Sequence, residues 1–336
     1  MKRLMIPYIR MLARYMELKL KAWKPLAAFY NVTLRCNLRC SFCSVWRQSA
    51  CREANYEEAT RIVKNVGDAG IPSLGFSGGE PLLRLDIVKL AYEAKNYGML
   101  TSINTNGTLV NEGNAQKLSK VFDYIIISID DIGILHDKVR GVDGAYDKAL
   151  KAITILKRHG ATVGVNTVVT RDNIWRIIEL WNNISDKVDF LTIQPVNPPQ
   201  IIDAKLAYRL AEELHEFKKR TDTPVPLPKS YIDGMVSYMS GNIHKVCDAG
   251  RLYISIQPDG AVIPCSTRDD VILGNLIKER LEMIIDRERS MIMRIAEHCD
   301  GCWLTCTTGI SLTFREPTEI IRSYWRMKSK IRTTTF

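Results

Sequence analysis

Apolar and polar positions along this chain follow two periods that take turns. Residues 27–34 (AAFYNVTL) read as a strand running into a cysteine-rich loop. Residues 55–69 switch to helical spacing, with Ala59, Ile62, Val63 and Val66 on one face. Residues 73–76 form a short strand ending in Ser77-Gly78-Gly79-Glu80-Pro81, and a helix follows at about 85–97. Further strands are predicted at 100–104, 122–129, 161–169 and 188–194, each followed by a helix, at 112–119, 144–159, 172–184 and 203–220. Six strand–helix units in succession predict an α/β protein with a parallel sheet and helices outside it. No early Gly-x-Gly-x-x-Gly is present, so an open, partial (β/α)6 TIM-like barrel fits better than a Rossmann sheet. In barrels of this kind the chemistry gathers at the C-terminal ends of the strands.

Pro224, Pro226 and Pro228 interrupt the pattern, because proline at alternate positions stops both a helix and a central strand. We place a domain boundary there, with the barrel over 25–225 and a small α+β unit over 226–312. In that unit, 251–256 and 261–265 flank Pro258-Asp259-Gly260 as a β-hairpin, and a helix at about 276–297 leads into a second group of cysteines.

Composition narrows the class. The 336 residues are 46% hydrophobic and 25% charged, as in soluble globular chains. No stretch approaches the roughly 18 apolar residues of a membrane span. Pro7, Arg10 and Arg14 break the N-terminal apolar run, which therefore makes a poor signal peptide. A cytoplasmic location is expected. The formal charge of +10 lies at the ends: residues 1–24 carry +6, residues 315–336 carry +4, and the stretch between is neutral. That distribution excludes a protein that is basic all over and disfavours nucleic acid as a partner. Met5, Ile9, Leu12, Met16, Leu20 and Trp23 recur at helical intervals, as do Ile320, Ile321, Tyr324, Trp325 and Ile331. Basic amphipathic helices are expected over 1–24 and 313–336. They suit either peripheral contact with the inner face of a membrane or packing on the barrel.

Nine cysteines are too many for idle core residues, and their odd number fits a disulfide set poorly. Cys36, Cys40 and Cys43 form C-x3-C-x2-C on one short loop. Three thiolates can hold three irons of a [4Fe–4S] cluster and leave the fourth open to a small chelating molecule. A zinc knuckle is the alternative, but it would lack a fourth ligand; the preceding strand and Phe42 beside Cys43 also count against it.

This loop resembles the C-x3-C-x-aromatic-C loop of the radical S-adenosylmethionine (SAM) superfamily, and the resemblance runs from about residue 27 to 310. It implies a SAM-binding [4Fe–4S] cluster on Cys36, Cys40 and Cys43. It also implies reductive cleavage of SAM to a 5′-deoxyadenosyl radical that abstracts hydrogen from a C–H bond, with one electron from a donor such as ferredoxin or flavodoxin. Gly78-Gly79-Glu80 is similar to the family's motif for the SAM amino group, and Asn104-Thr105-Asn106-Gly107 to its turn after the third strand. By the same resemblance Ser128 and Asp130 contact the ribose or carboxylate of SAM. Arg140 either pairs with an anion or caps its loop. Asn166 and Gln194 point to the same end if the strand alternation holds, where they face the cofactor or satisfy buried backbone groups. His136 reads as structural.

Cys247, twelve residues, Gly260, four residues and Cys265 resemble the opening element of SPASM and twitch extensions, with Cys299, Cys302 and Cys306 following as C-x2-C-x3-C. Five thiols fit one auxiliary [4Fe–4S] cluster with one to spare, and leave open which four bind. A structural zinc site using the same residues is the alternative. His298 adjoins Cys299 and reads as a surface residue, with replacement of a thiolate as the alternative, and Cys51, which has no partner spacing, reads as a stray thiol. For the substrate, the basic ends favour a lipid or other membrane-embedded small molecule. The alternatives are a SPASM-type peptide maturase and a non-catalytic iron–sulfur or zinc scaffold.

Overall fold

The computed structural model describes residues 13–14, 16–17, 23–48, 51–299, 301–316 and 318. Six strands, β1 (Ala27–Thr33), β2 (Ser73–Gly78), β3 (Leu100–Thr105), β4 (Tyr124–Ser128), β5 (Val163–Val169) and β6 (Phe190–Pro195), pair in parallel in that order. The helices α1 (Tyr56–Asp68), α2 (Ile87–Asn96), α3 (Glu112–Val121), α4 (Ile134–Arg140), α5 (Ala145–Arg158), α6 (Ile177–Ile184) and α7 (Ala204–Arg220) intervene or follow. This is the partial barrel that the alternation predicts.

Strand residues divide by parity. Ala28, Tyr30, Val32, Leu74, Phe76, Ile103, Ile125, Ile127, Leu191 and Ile193 face the helices and are buried in the main core. The opposite face carries Asn31, Ser77, Ser102, Asn104, Ser128, Asn166, Thr192 and Gln194, which line a cavity. The sheet is thus apolar outside and largely polar inside, with Phe29, Ile126 and Val168 as the apolar members of the inner face. Helix α1 opens on a capping box in which Asn55 Oδ1 accepts from Glu58 N at 2.9 Å and Glu58 Oε2 accepts from Asn55 N at 3.0 Å. Its predicted apolar face, Ala59, Ile62, Val63 and Val66, is buried.

Beyond the proline-rich stretch come α8 (Lys229–Met239), β7 (Tyr253–Ile256), β8 (Ala261–Ile263), β9 (Gly274–Asn275), α9 (Leu281–His298), a π-helical turn (Thr305–Gly309) and α10 (Ile310–Arg315). Strand β7 pairs in parallel with the free side of β1, Ala27 opposite Tyr253 and Tyr30 opposite Ile256, and β8 and β9 continue antiparallel. The C-terminal α+β region therefore extends the barrel's own sheet to nine strands.

Four elements differ from the periodicity. The helix expected from 172 begins with a 3₁₀ turn at Ile174–Arg176, and the one expected from 276 begins at Leu281, after β9 and its turn. Helix α4 is only seven residues long, too short for its period to show. Helix α8 starts directly after Pro228, so that proline ends an extended segment and opens a helix at once. The segment before it lies along β6, with Leu191 N donating to Pro224 O at 3.0 Å.

The amphipathic helices expected over 1–24 and 313–336 lie largely outside the described residues. Arg14 is described: its guanidinium donates to Ala69 O and Gly70 O at the end of α1.

Candidate active site

The cavity, about 440 Å³, opens at the C-terminal ends of the barrel strands. Cys36, Cys40 and Cys43 line one side with Leu38, Phe42 and Trp46, while Ser266, Thr305 and Cys306 of the C-terminal region line another.

Backbone contacts on two sides fix the cysteine loop. Arg39 N donates to Arg140 O and Ser41 N to Val139 O, both at 2.9 Å, which ties the loop to the end of α4. Gly79 N donates to Thr33 O and Glu80 N to Arg35 O, both at 2.8 Å. The glycine pair is required here. A Cβ on Gly78 would stand 2.0 Å from Thr33 O, and one on Gly79 would stand 2.2 Å from Arg35 O. The close approach is thus to the cysteine loop's own backbone. On a third side, Asn106 Nδ2 donates to Asn37 Oδ1 at 2.8 Å.

Glu80 is fully buried and does not line the cavity. Its carboxylate accepts from Leu82 N at 3.0 Å, Thr105 Oγ1 at 2.7 Å and Asn106 N at 2.8 Å, so it braces the turn after β3 against the turn after β2. Burial raises its pKa against these donors. Asp130 is likewise buried. Its Oδ2 pairs with Arg140 Nη2 at 2.7 Å and its Oδ1 accepts from Val168 N at 2.9 Å. Burial pushes its pKa up, opposed chiefly by Arg140. Arg140 in turn sets Nη1 3.7 Å from Cys40 Sγ and lies over the Phe42 ring, its carbon 5.7 Å from the centroid. Asp130 therefore acts on the cavity through Arg140, which both pairs with an anion and closes the loop. His136 is buried, and burial, helped by Arg140, holds its pKa down to about 3. The neutral ring accepts from Asp130 N at Nδ1, the structural role expected of it.

Asn104, Asn106, Ser128, Asn166 and Gln194 all line the cavity. Asn166 Oδ1 accepts from Thr192 Oγ1 at 3.0 Å. Gln194 Oε1 accepts from both the amide and the hydroxyl of Thr305. The sequence reading missed Asn31, Ser77, Ser102 and Thr192; their signal was polar residues of one parity in otherwise apolar strands.

The five C-terminal thiols form a neighbourhood beside this cavity. Cys302 lies in the electrostatic reach of Cys247 and Cys299, and Cys306 in that of Cys302 and Cys265. Burial pushes the Cys265 thiol up to about 11 and the Cys306 thiol to about 12, and it raises Cys36 and Cys40 as well. These thiols are protonated at neutral pH until a metal takes them, so loading releases protons. Among the described residues no three Cys, His, Asp or Glu side chains converge tightly enough for a single metal ion. Three thiols on the first loop and five in the C-terminal region are the donor type that iron–sulfur clusters take. The residues present fit the two clusters that the cysteine spacings imply.

A partial barrel with three thiols on its first loop and five more in a C-terminal extension defines a radical SAM protein with an auxiliary iron–sulfur domain. Residues 30–182 match the radical SAM superfamily and residues 247–307 the SPASM iron–sulfur cluster-binding domain, so the chain is a radical SAM/SPASM protein. Its cofactors are accordingly SAM with a [4Fe–4S] cluster, and an iron–sulfur cluster in the second domain.

The chain is 37% identical over 161 residues to the pre-heme d1 synthase of Dinoroseobacter shibae, and 34% identical over 161 residues to the Fe-coproporphyrin III synthase of Methanosarcina barkeri. Each match covers 47% of this chain and 40% of the relative. It is 28% identical over 256 residues to the PqqA peptide cyclase of Granulibacter bethesdensis, covering 72% of this chain and 67% of the relative. Among solved structures, anSMEcpe with bound AdoMet superposes with a TM-score of 0.66 at 18% identity, over 92% of this chain and all of that one.

These findings correct the expectation of a lipid or membrane-embedded substrate. The relatives are named for heme, porphyrin and peptide chemistry. Among the described residues no helix is long and apolar enough to cross a membrane.

Proposed function

We propose that this chain is a radical SAM enzyme that modifies a peptide. Cys36, Cys40 and Cys43 would hold the SAM-binding cluster, which with SAM supplies the hydrogen-abstracting radical chemistry. Gly78, Gly79, Asn104, Asn106, Ser128, Asn166 and Gln194 orient the cofactor, Phe42 and Arg140 shield the loop, and Glu80 and Asp130 hold it from behind. Four of Cys247, Cys265, Cys299, Cys302 and Cys306 would hold the auxiliary cluster.

The charge of the cavity carries the choice of substrate. Arg140 is the one charged side chain among its described lining residues, and that cation is already paired with Asp130. A porphyrin bearing several carboxylates would find hydrogen-bond donors among the described lining residues but no unpaired cation to neutralise them. In support, the peptide cyclase match extends over more of both chains than the heme-related matches do.

Anaerobic reconstitution should load about eight irons per chain, as two four-iron clusters require, and reduction should yield 5′-deoxyadenosine. Zinc without SAM cleavage would overturn the enzyme reading. Fe-coproporphyrin III added to the reduced enzyme should leave both its own mass and the rate of SAM turnover unchanged. Its conversion would replace the peptide reading with a porphyrin one.

A further inference from the structure

Gln194 ends the barrel and meets the auxiliary domain. It stands on β6 and lines the SAM cavity. Its Oε1 accepts from Thr305 N at 3.2 Å and from Thr305 Oγ1 at 2.9 Å. Thr305 is the first residue of the π-helical turn that carries Cys306, and both Thr305 and Cys306 line the same cavity. A π-helical turn is a rare local geometry, frequently found at functional sites. The rest of the segment is anchored independently of Gln194. Tyr231 Oη donates to Trp303 O at 2.6 Å, and Trp303 packs where Gly234 leaves no room for a Cβ. The Thr308 hydroxyl donates to Val246 O at 3.2 Å. Among the described residues, the Thr305–Cys306 end is held through side chains that also face the cofactor cavity: Gln194 of the barrel, and Ser266 of the C-terminal region, whose hydroxyl lies 3.8 Å from Cys306 Sγ.

We propose that Gln194 is a positioning residue that couples occupancy of the SAM cavity to the turn bearing Cys306, and so to the geometry of the auxiliary thiols. This rests on the SAM-binding reading above. A ligand filling the cavity restricts the Gln194 side chain. One acceptor atom holding two donors of a single residue transmits that restriction to the Thr305 amide. Coupling of this kind needs a chain of contacts with differential affinity for two states, and the two hydrogen bonds supply the link.

The test is hydrogen–deuterium exchange on the reconstituted, unreduced protein, in which SAM binds without being cleaved. In the unmutated protein, SAM should slow exchange in a segment around 102–108 at the cavity wall and also in one around 303–310. At SAM concentrations raised until each protein is saturated, Gln194→Leu should show the first protection and lose the second at least several-fold. Gln194→Glu, which keeps the acceptor, should restore it. Equal protection of 303–310 in the unmutated protein and in Gln194→Leu would overturn the proposal, as would an unmutated protein in which SAM protects only 102–108. Absence of protection at both segments in the unmutated protein would instead overturn the SAM-binding reading. Should Gln194→Leu fail to fold, as shown by fast exchange throughout the barrel helices, Gln194→Glu and Thr305→Val decide the matter. Thr305→Val removes the hydroxyl donor and keeps the amide, so it should reduce the coupling partly. No reduction would count against the proposal.

Discussion

At the scale of single residues, the site depends on groups that never touch the cavity. Asp130 is fully buried and holds Arg140 at 2.7 Å, and Arg140 reaches Cys40. Removing one partner of a buried pair leaves the other charge uncompensated, which costs about 3–5 kcal/mol. Asp130→Ala should therefore lower stability by about that amount and loosen the cysteine loop. Asp130→Asn keeps the acceptor for Val168 N and should cost less. Urea denaturation of the two variants checks this; equal midpoints for Asp130→Ala and the unmutated protein would refute it. Much at this scale was legible beforehand. The thiols announced themselves by spacing, because a cluster demands sulfurs at short, fixed separations. Glu80 and Asp130 were visible as acids at strand ends, but not their orientation. A sequence shows that a carboxylate is present; whether it faces ligand or backbone is decided by the turns that surround it, here those after β2 and β3.

At the scale of elements, the strand–turn junctions are the exacting parts. Strands β1 to β6 fall within two residues of the periodicity because parallel strands with one face on helices and one on a cavity keep a clean period of two. The short helix α4 escaped notice, yet its last turn carries Arg140 and its backbone holds the cysteine loop at Arg39 and Ser41. Functional elements of one or two turns offer too few residues to display a period. The Gly78-Gly79 pair makes the complementary point. Its residues were legible as a motif, but the reason for them, a backbone-to-backbone approach to the thiol loop, needed coordinates. Gly79→Ala would place a methyl 2.2 Å from Arg35 O, so the loop must move. Overpacking of this kind typically costs about 1–3 kcal/mol. The expected phenotype is selective: iron content falls by about half, one cluster of two, with the auxiliary cluster retained. Iron analysis beside the Cys36→Ala variant measures this, and full iron content in Gly79→Ala would show that the approach is not needed.

At the scale of the whole molecule, the two thiol groups belong to one sheet. The hairpin of β7 and β8 was foreseeable from Pro258-Asp259-Gly260, but its parallel docking on β1 was not, since nothing in a strand's own period names its neighbour. That docking places Cys265, at the end of β8, on an extension of the same sheet whose first strand leads into Cys36. The auxiliary thiols also span three separate stretches of chain, near 247, 265 and 299–306, and the last is bound to barrel strand β6 through Gln194 and to α8 through Tyr231. A cluster that closes those stretches binds the folded state alone, so its binding free energy adds to folding stability. Because the sheet is continuous from β6 to β9, that stabilisation cannot stay within the C-terminal region. The double variant Cys265→Ala/Cys302→Ala leaves three of the five thiols and should lose about half the iron, as expected when one of two clusters fails to form. It should also lower the melting temperature of the entire chain in a single calorimetric transition. Two separated transitions, with the barrel melting as in the unmutated protein, would mean that the shared sheet does not couple the regions. In that case the auxiliary domain would act on the cavity only through the side chains that line it.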